Sequence, residues 1–326
     1  MIVVQAPLRI SFLGGGTDFP GFYGADTGHV LSCTIDKSIF AILKGRFDDK
    51  IRVGYTRTEL VDDVESVEHD LVREALRLTG VTKGVELATM ADIPSHGSGL
   101  GSSAAVTVAL LHALWQYRGV LPSREQLAAG ATEIEMVRLG RPIGVQDQYA
   151  SAYGGLRFMT FGADGVKVEK AAPECPALAR RLGERLMLFY TGVPRDSAAV
   201  LEEQQGRIDD QRPLLREMAA LAVQGRCALQ AGDHDALGDL LHEGWERKRR
   251  LASGVTNDVI DALYATARHA GAVGGKIAGA GGGGFLLLYC QPERQASVRS
   301  ALHGLAELEF HLEDEGSLVM LDDRRR

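Results

Sequence analysis

The chain has 326 residues, 45% of them apolar, and a formal charge of −7. That length can bury a substantial core in one large or two ordinary domains. An acid excess without a basic block excludes an ordinary nucleic-acid binder. No basic-then-apolar leader and no apolar run of membrane length is present, so a cytoplasmic protein without membrane contact is expected. Cys33, Cys175, Cys227 and Cys290 are scattered without metal-ligand spacing and read as reduced packing residues.

In chain order, Ile2–Phe12 reads as a strand, and Arg9 within it is notable because arginine is seldom buried without an anionic partner. It runs into Leu13-Gly14-Gly15-Gly16-Thr17-Asp18, which puts Asp18 on a tight turn, able to accept hydrogen bonds from sugar hydroxyls. An ordinary hairpin turn has the same composition. Ser38–Lys44, Ile51–Val53 and Gly84–Ala88 read as further strands. Residues 94–105, Pro-Ser-His-Gly-Ser-Gly-Leu-Gly-Ser-Ser-Ala-Ala, then open a helix over Ala104–Trp115.

A glycine- and serine-rich loop opening a helix is a phosphate cradle: bare N–H groups face inward and the helix N-terminus favours negative charge. Ser102 and Ser103 can cap the helix or reach a magnesium ion. The loop lacks the Lys-Ser/Thr ending of a Walker A motif, so it is not a P-loop. A turn that merely caps a core helix would share its composition.

Ser123-Arg124-Glu125-Gln126 is a capping box for a helix that should end near Gly140. That helix carries Glu133 and Glu135, and Gly144-Val145-Gln146-Asp147-Gln148 follows it. Arg157–Phe161 and Val166–Lys170 read as a hairpin, and long amphipathic helices fill Ser197 to Gly271, with Thr256 as an N-cap. A second glycine run, Lys276 to Phe285, lies between a helix (Asp258–His269) and a strand (Phe285–Cys290). Its Gly279, Gly281 and Gly284 form a G-x-G-x-x-G, but the following strand is the wrong context for dinucleotide binding. A helix after Pro292 and short strands near Leu308–Leu312 and Leu318–Leu321 close an α+β pattern whose domain boundary, near 165–180, is weakly marked.

The Ala-Pro-Leu-Arg run, the Gly-Leu-Gly-Ser-Ser-Ala-Ala loop and the Gly-Ala-Gly-Gly-Gly-Gly-Phe run resemble the three motifs of the GHMP kinase superfamily, in order and at fitting spacing. The resemblance covers nearly the whole chain. Gly14-Gly15-Gly16-Thr17-Asp18, Gly144 to Tyr149, and Trp245 with Lys248 look like its bacterial heptose 7-phosphate kinases. Galactokinases carry a Gly-Glu-His-Thr-Asp pattern in the first motif instead.

The resemblance implies an ATP-binding N-terminal domain (1–170), a C-terminal domain (171–326) and an active site in the cleft between them. ATP would lie on Pro94, Gly97, Ser98, Gly99, Leu100, Gly101, Ser102, Ser103 and Ala104. Asp147 would take the proton of the attacking sugar hydroxyl, and Arg9 would pair with it and offset developing charge. Ser103 and Glu135 would hold Mg²⁺, with Glu133 as the competing acid. Gly16, Thr17, Asp18, Gln146, Lys248, Gly281 and Gly282 would contact the sugar. Arg247, Arg195 and Lys276 are further candidates for a distal phosphate.

The implied reaction is ATP-dependent phosphorylation of the anomeric hydroxyl of a sugar phosphate, foremost a heptose 7-phosphate. Another sugar-1-kinase, a decarboxylase of the same fold and a non-catalytic sugar and ATP sensor are the alternatives. A homodimer is compatible with the apolar C-terminal helices.

Overall fold

The computed structural model describes residues 1–93, 97–172, 176–193 and 197–324. Pro94, Arg195 and Cys175 lie outside them. In chain order the strands are β1 (Ile2–Leu13), β2 (Gly28–Gly45), β3 (Ile51–Gly54), β4 (Thr58–Val61), β5 (Val85–Ala91), β6 (Arg157–Gly162) and β7 (Gly165–Lys170). Then follow β8 (Leu186–Tyr190), β9 (Ala272–Ile277), β10 (Phe285–Cys290), β11 (Ala306–Glu307), β12 (Leu312–Glu313) and β13 (Leu318–Asp322).

The first sheet runs β13-β1-β2-β5-β3-β4, with the β6–β7 hairpin and β12 also on β2. Among the described residues only its β3–β5 pair is parallel. The second is antiparallel, β11-β8-β10-β9. Among the described residues β12 and β13 return to the first sheet, so the second half of the chain does not stay within a domain starting at 171. A weak linker signal fits such a return, because the chain passes from the first sheet to the second and back again.

β1 explains how a charged site comes to lie on a core strand. The helix Ser102–Tyr117 packs against it, as do the helices Ile208–Ala231 and Asp235–Lys248, and residues from Ala6 to Leu13 are all buried. Its pairing with β2 shifts register on both sides of Arg9, between Pro7 and Arg9 and again between Ser11 and Leu13. Such irregularities re-aim side chains. Arg9 and Ser11, two apart and so on one face of the strand, both line the cleft described below.

Two expected details shift. Asn257, not Thr256, caps the helix Asp258–Ala270, its side chain accepting from the Ile260 N–H, while Thr256 bonds Asp261. The second glycine run joins two antiparallel strands, β9 and β10, rather than a helix and a strand. Cys33 and Cys290 are buried, whereas Cys227 is exposed.

Candidate active site

Arg9 organises an open cleft of about 420 Å³. Its backbone N–H donates to Leu100 O at 2.9 Å and its Nη1 to Gly99 O at 2.7 Å, which fixes the glycine-serine loop. Its Nε and Nη2 grip Asp147 Oδ1 and Oδ2 at 2.7 and 2.5 Å. This is a bidentate charge-assisted pair. The arginine side chain is almost fully buried, while the Asp147 carboxylate keeps 26% exposure toward the cleft. Asp147 sits in the first turn of the helix Gln146–Tyr153, where the helix dipole favours an acid.

Gly97, Ser98, Gly99, Gly101, Ser102, Ser103 and Ala104 line one wall. Leu100 does not; it is buried, and its carbonyl serves Arg9. Gly101, in the left-handed region, is the N-cap of the helix Ser102–Tyr117, so neither serine caps it. Ser102 Oγ lies 2.9 Å from Ser98 Oγ, and Ser103 Oγ donates to Glu135 Oε2 at 2.5 Å.

Glu135 lies in a π-helical turn, Glu133–Arg138, that continues the capped helix Arg124–Thr132. The wider turn separates two acids that are adjacent in sequence spacing. Glu133 points to Arg138 on the surface, and Glu135 is buried in the cleft wall. Burial raises the Glu135 carboxyl above its usual range, against hydrogen bonds from Ser103 and Gln148. A serine and a glutamate oxygen suit a hard cation that keeps most of its shell for phosphate and water, so these residues fit Mg²⁺. No group of three or more His, Cys, Asp or Glu side chains is assembled among the described residues.

In the same cleft Asp18 accepts from Gly16 N (3.0 Å), Gln146 N (3.2 Å) and Gln146 Nε2 (3.1 Å). A carboxylate has about four lone-pair sites, which leaves room for one further donor. Burial, and next the charge of Asp147, raise its pKa. Gly144 is obligatory beside it, since a Cβ there would sit 2.0 Å from Asp18 Oδ2.

Ser11 Oγ, Gln146 Oε1 and Gln148 Oε1 line this cleft, are buried, and have no hydrogen-bond partner. An unpaired buried polar atom costs about 1–3 kcal/mol, so a ligand rich in hydroxyls would be rewarded here. Thr17, by contrast, turns its hydroxyl inward: Gly14 O and His29 O lie at 2.8 and 2.9 Å, and it accepts from His29 N. It holds the turn and does not line the cleft.

Lys248 and Lys276 complete the cleft, both buried. Lys248 Nζ donates to Gly279 O, and Lys276 Nζ to Ser11 O at 2.8 Å and Phe12 O at 3.2 Å. Arg247 faces away, paired with Glu217 and Glu243. Gly281 and Gly282 also lie outside the lining: Gly282 N donates to Val255 O at 2.7 Å, and a Cβ on Gly281 would meet the same carbonyl. Sequence reasoning missed Ser11, Gln148 and Arg141. The two-residue spacing from Arg9 pointed to Ser11; nothing in the spacing marks Arg141.

Two family models match the chain: GHMP kinases N terminal domain over residues 66–155, and GHMP kinases C terminal over 227–306. A D-glycero-alpha-D-manno-heptose 7-phosphate kinase of Campylobacter jejuni is 30% identical over 92% of this chain and 93% of its own length. A galactokinase of Roseiflexus is 28% identical over 94% and 87%. In fold, the crystal structure of a D-glycero-D-manno-heptose 1-phosphate kinase from Bacteriodes thetaiotaomicron superposes with a TM-score of 0.81 at 24% identity, covering 99% of this chain and all of that one. The chain belongs to the GHMP kinase family and is an ATP-dependent kinase.

Proposed function

We propose that this GHMP kinase is a sugar kinase that moves the γ-phosphoryl group of ATP onto the anomeric C1 hydroxyl of a sugar phosphate, foremost D-glycero-D-manno-heptose 7-phosphate, giving ADP and the 1,7-bisphosphate. The observation that carries it is the Arg9 clamp, which ties the phosphate-cradle loop and Asp147 to one guanidinium beside the unpartnered Ser11 and Gln146 oxygens. The 30% identity with the heptose 7-phosphate kinase supports the particular sugar.

ATP lies along Gly97–Ala104 with its phosphates toward the N-terminus of the Ser102–Tyr117 helix. Asp18, Gln146 and Ser11 hold sugar hydroxyls and set the ring so that C1–OH faces Asp147. Asp147 accepts the hydroxyl proton as the oxygen attacks phosphorus, and Arg9 balances the charge on that carboxylate and near the transferring group. Ser103 and Glu135 would hold Mg²⁺, which would supply positive charge against the ATP phosphates. Lys248 is assigned to the distal phosphate. No helix of the described residues is long and apolar enough to cross a membrane, and we place the reaction in the cytoplasm.

A panel pairing heptose 7-phosphate with free heptose, fucose, galactose and mannose tests this, reading ADP release and the ³¹P spectrum. Turnover confined to the 7-phosphate, with a new anomeric phosphorus signal, is expected. Turnover on a free hexose instead would discard the distal-phosphate assignment, and silence with ATP still bound would remove the sugar-1-kinase reading for this panel.

A further inference from the structure

The Ser103–Glu135 pair has a third member. Arg141 Nη1 donates to Ser103 Oγ at 2.6 Å and lies 3.2 Å from Glu135 Oε2, the same two groups assigned to Mg²⁺. Its Nη2 donates to Asp70 Oδ2 at 2.8 Å, and its backbone N–H to Glu135 O at 2.9 Å. The guanidinium is 29% exposed, in the cleft wall, whereas Glu135 is 1% exposed.

Two positive centres cannot share one buried carboxylate oxygen and one hydroxyl at contact distance. Yet an ionised and uncompensated Glu135 would be costly at this depth, so a cation beside it holds the carboxylate in its metal-ready form. We propose that Arg141 is a placeholder cation: it neutralises Glu135 in the nucleotide-free enzyme and surrenders Ser103 and Glu135 only when a metal arrives with nucleotide. The inference rests on the metal assignment made above.

Asp70 makes the exchange reversible. It anchors the far edge of the guanidinium and is itself 41% exposed, so the side chain can leave Glu135 while keeping one anionic partner. A free divalent ion offers Arg141 nothing in return for the lost carboxylate. A metal–nucleotide complex does, because its phosphates give the displaced guanidinium a new acceptor in the cleft. The enzyme therefore takes its metal as a nucleotide complex and leaves the site guarded otherwise.

The test is Mn²⁺ binding to the full-length protein, followed by the free-ion signal in electron paramagnetic resonance, with and without ADP. Wild type should bind Mn²⁺ alone weakly. Arg141→Gln should bind it about tenfold more tightly, the scale of removing one like charge from a partly buried site. Arg141→Lys, which keeps the charge, should stay near wild type. Equal affinity of wild type and the glutamine variant overturns the proposal, as does an equal gain in the lysine variant, which would indicate loosened packing. Glu135→Gln separates the layers: if it leaves Mn–ADP binding unchanged, the metal assignment itself fails. If Mn–ADP binding falls there but Arg141→Gln gains nothing, only the placeholder role fails.

Discussion

Residues 97–101 and 279–284 both read as glycine-rich loops, but they face different things. The first opens a helix and lines the cleft through Gly97, Ser98, Gly99 and Gly101. The second joins two antiparallel strands and packs on the first, backbone on backbone, at Gly279 and Gly284, although Gly279 and Ala280 also reach the cleft. A Cβ on Gly284 would meet Gly97 O at 2.5 Å and Ser98 O at 2.7 Å, and one on Gly279 would meet Gly99 Cα at 2.8 Å. Glycine serves ligand approach in one loop and close packing of main chains in the other. Composition cannot distinguish these uses; only the neighbour can.

The difference predicts that changes facing the cleft cost turnover, whereas changes behind it cost folding. The largest effect should come from Asp147→Asn. It removes the proton acceptor while an amide of the same shape stays within reach of Arg9, so kcat should fall about 10³-fold, within the usual range for a general base. ATP affinity, measured by titration calorimetry, should hold within a few-fold. Normal turnover in the asparagine variant would remove Asp147 as the base, whereas sugar and ATP binding without turnover in wild type and variant alike would favour the sensor alternative.

Next in size is the direct contrast of Gly284→Ala with Gly97→Ala. Both glycines have positive φ, so both variants pay the left-handed penalty of about 1–2 kcal/mol. At Gly284 the Cβ also collides with two carbonyls, and a total near 3 kcal/mol in urea unfolding is expected. At Gly97 nothing lies within 4 Å, so stability should fall only by the conformational term, about 1 kcal/mol, while the KM for Mg-ATP rises. Equal stability losses would break the contrast between a ligand-facing and a packed loop.

Much of this was legible. The strand with Arg9, the capped helix, the 157–170 hairpin and the first two motifs sit where their patterns indicate, because glycine placement, caps and alternation are local signals. What escaped depends on neighbours. β8 is a continuous apolar run, Leu-Met-Leu-Phe-Tyr, whose periodicity does not separate strand from buried helix. β9 reads Ala-Val-Gly-Gly-Lys-Ile, and adjacent glycines argue against a strand. They are required because a Cβ on Gly274 would meet Gly238 O at 1.9 Å and one on Gly275 would meet Leu287 O at 2.3 Å. The resemblance puts Thr17 at the sugar, yet its hydroxyl bonds the backbone of its own turn and of His29. Arg141 enters the site only because the chain folds back over the π-turn.

Lys276 joins the two regions, and the smallest predicted effect concerns it. It lies on β9, which leads into the packed loop, yet its ammonium is in the cleft beneath the ends of Ser11 and Phe12. Burial, and then the charge of Arg9, pull its pKa down to about 7 against the opposing pull of Asp18. An unfolded lysine titrates near 10.4, so between about pH 7 and pH 10 the unfolded chain binds a proton that the folded chain lacks. Stability from this group must therefore rise with pH through that window, and the cost of burying the charge is fully felt below it. Deprotonation loses no hydrogen bond, since a neutral amine still has two N–H groups for its two carbonyl acceptors. Comparison with Lys276→Met cancels the other titrating groups. The stability of wild type relative to the variant should climb from pH 7 to pH 9 by about 1 kcal/mol per pH unit. A flat difference would mean that the lysine stays charged, in which case the cleft is better solvated at its base than the burial of Lys276 implies.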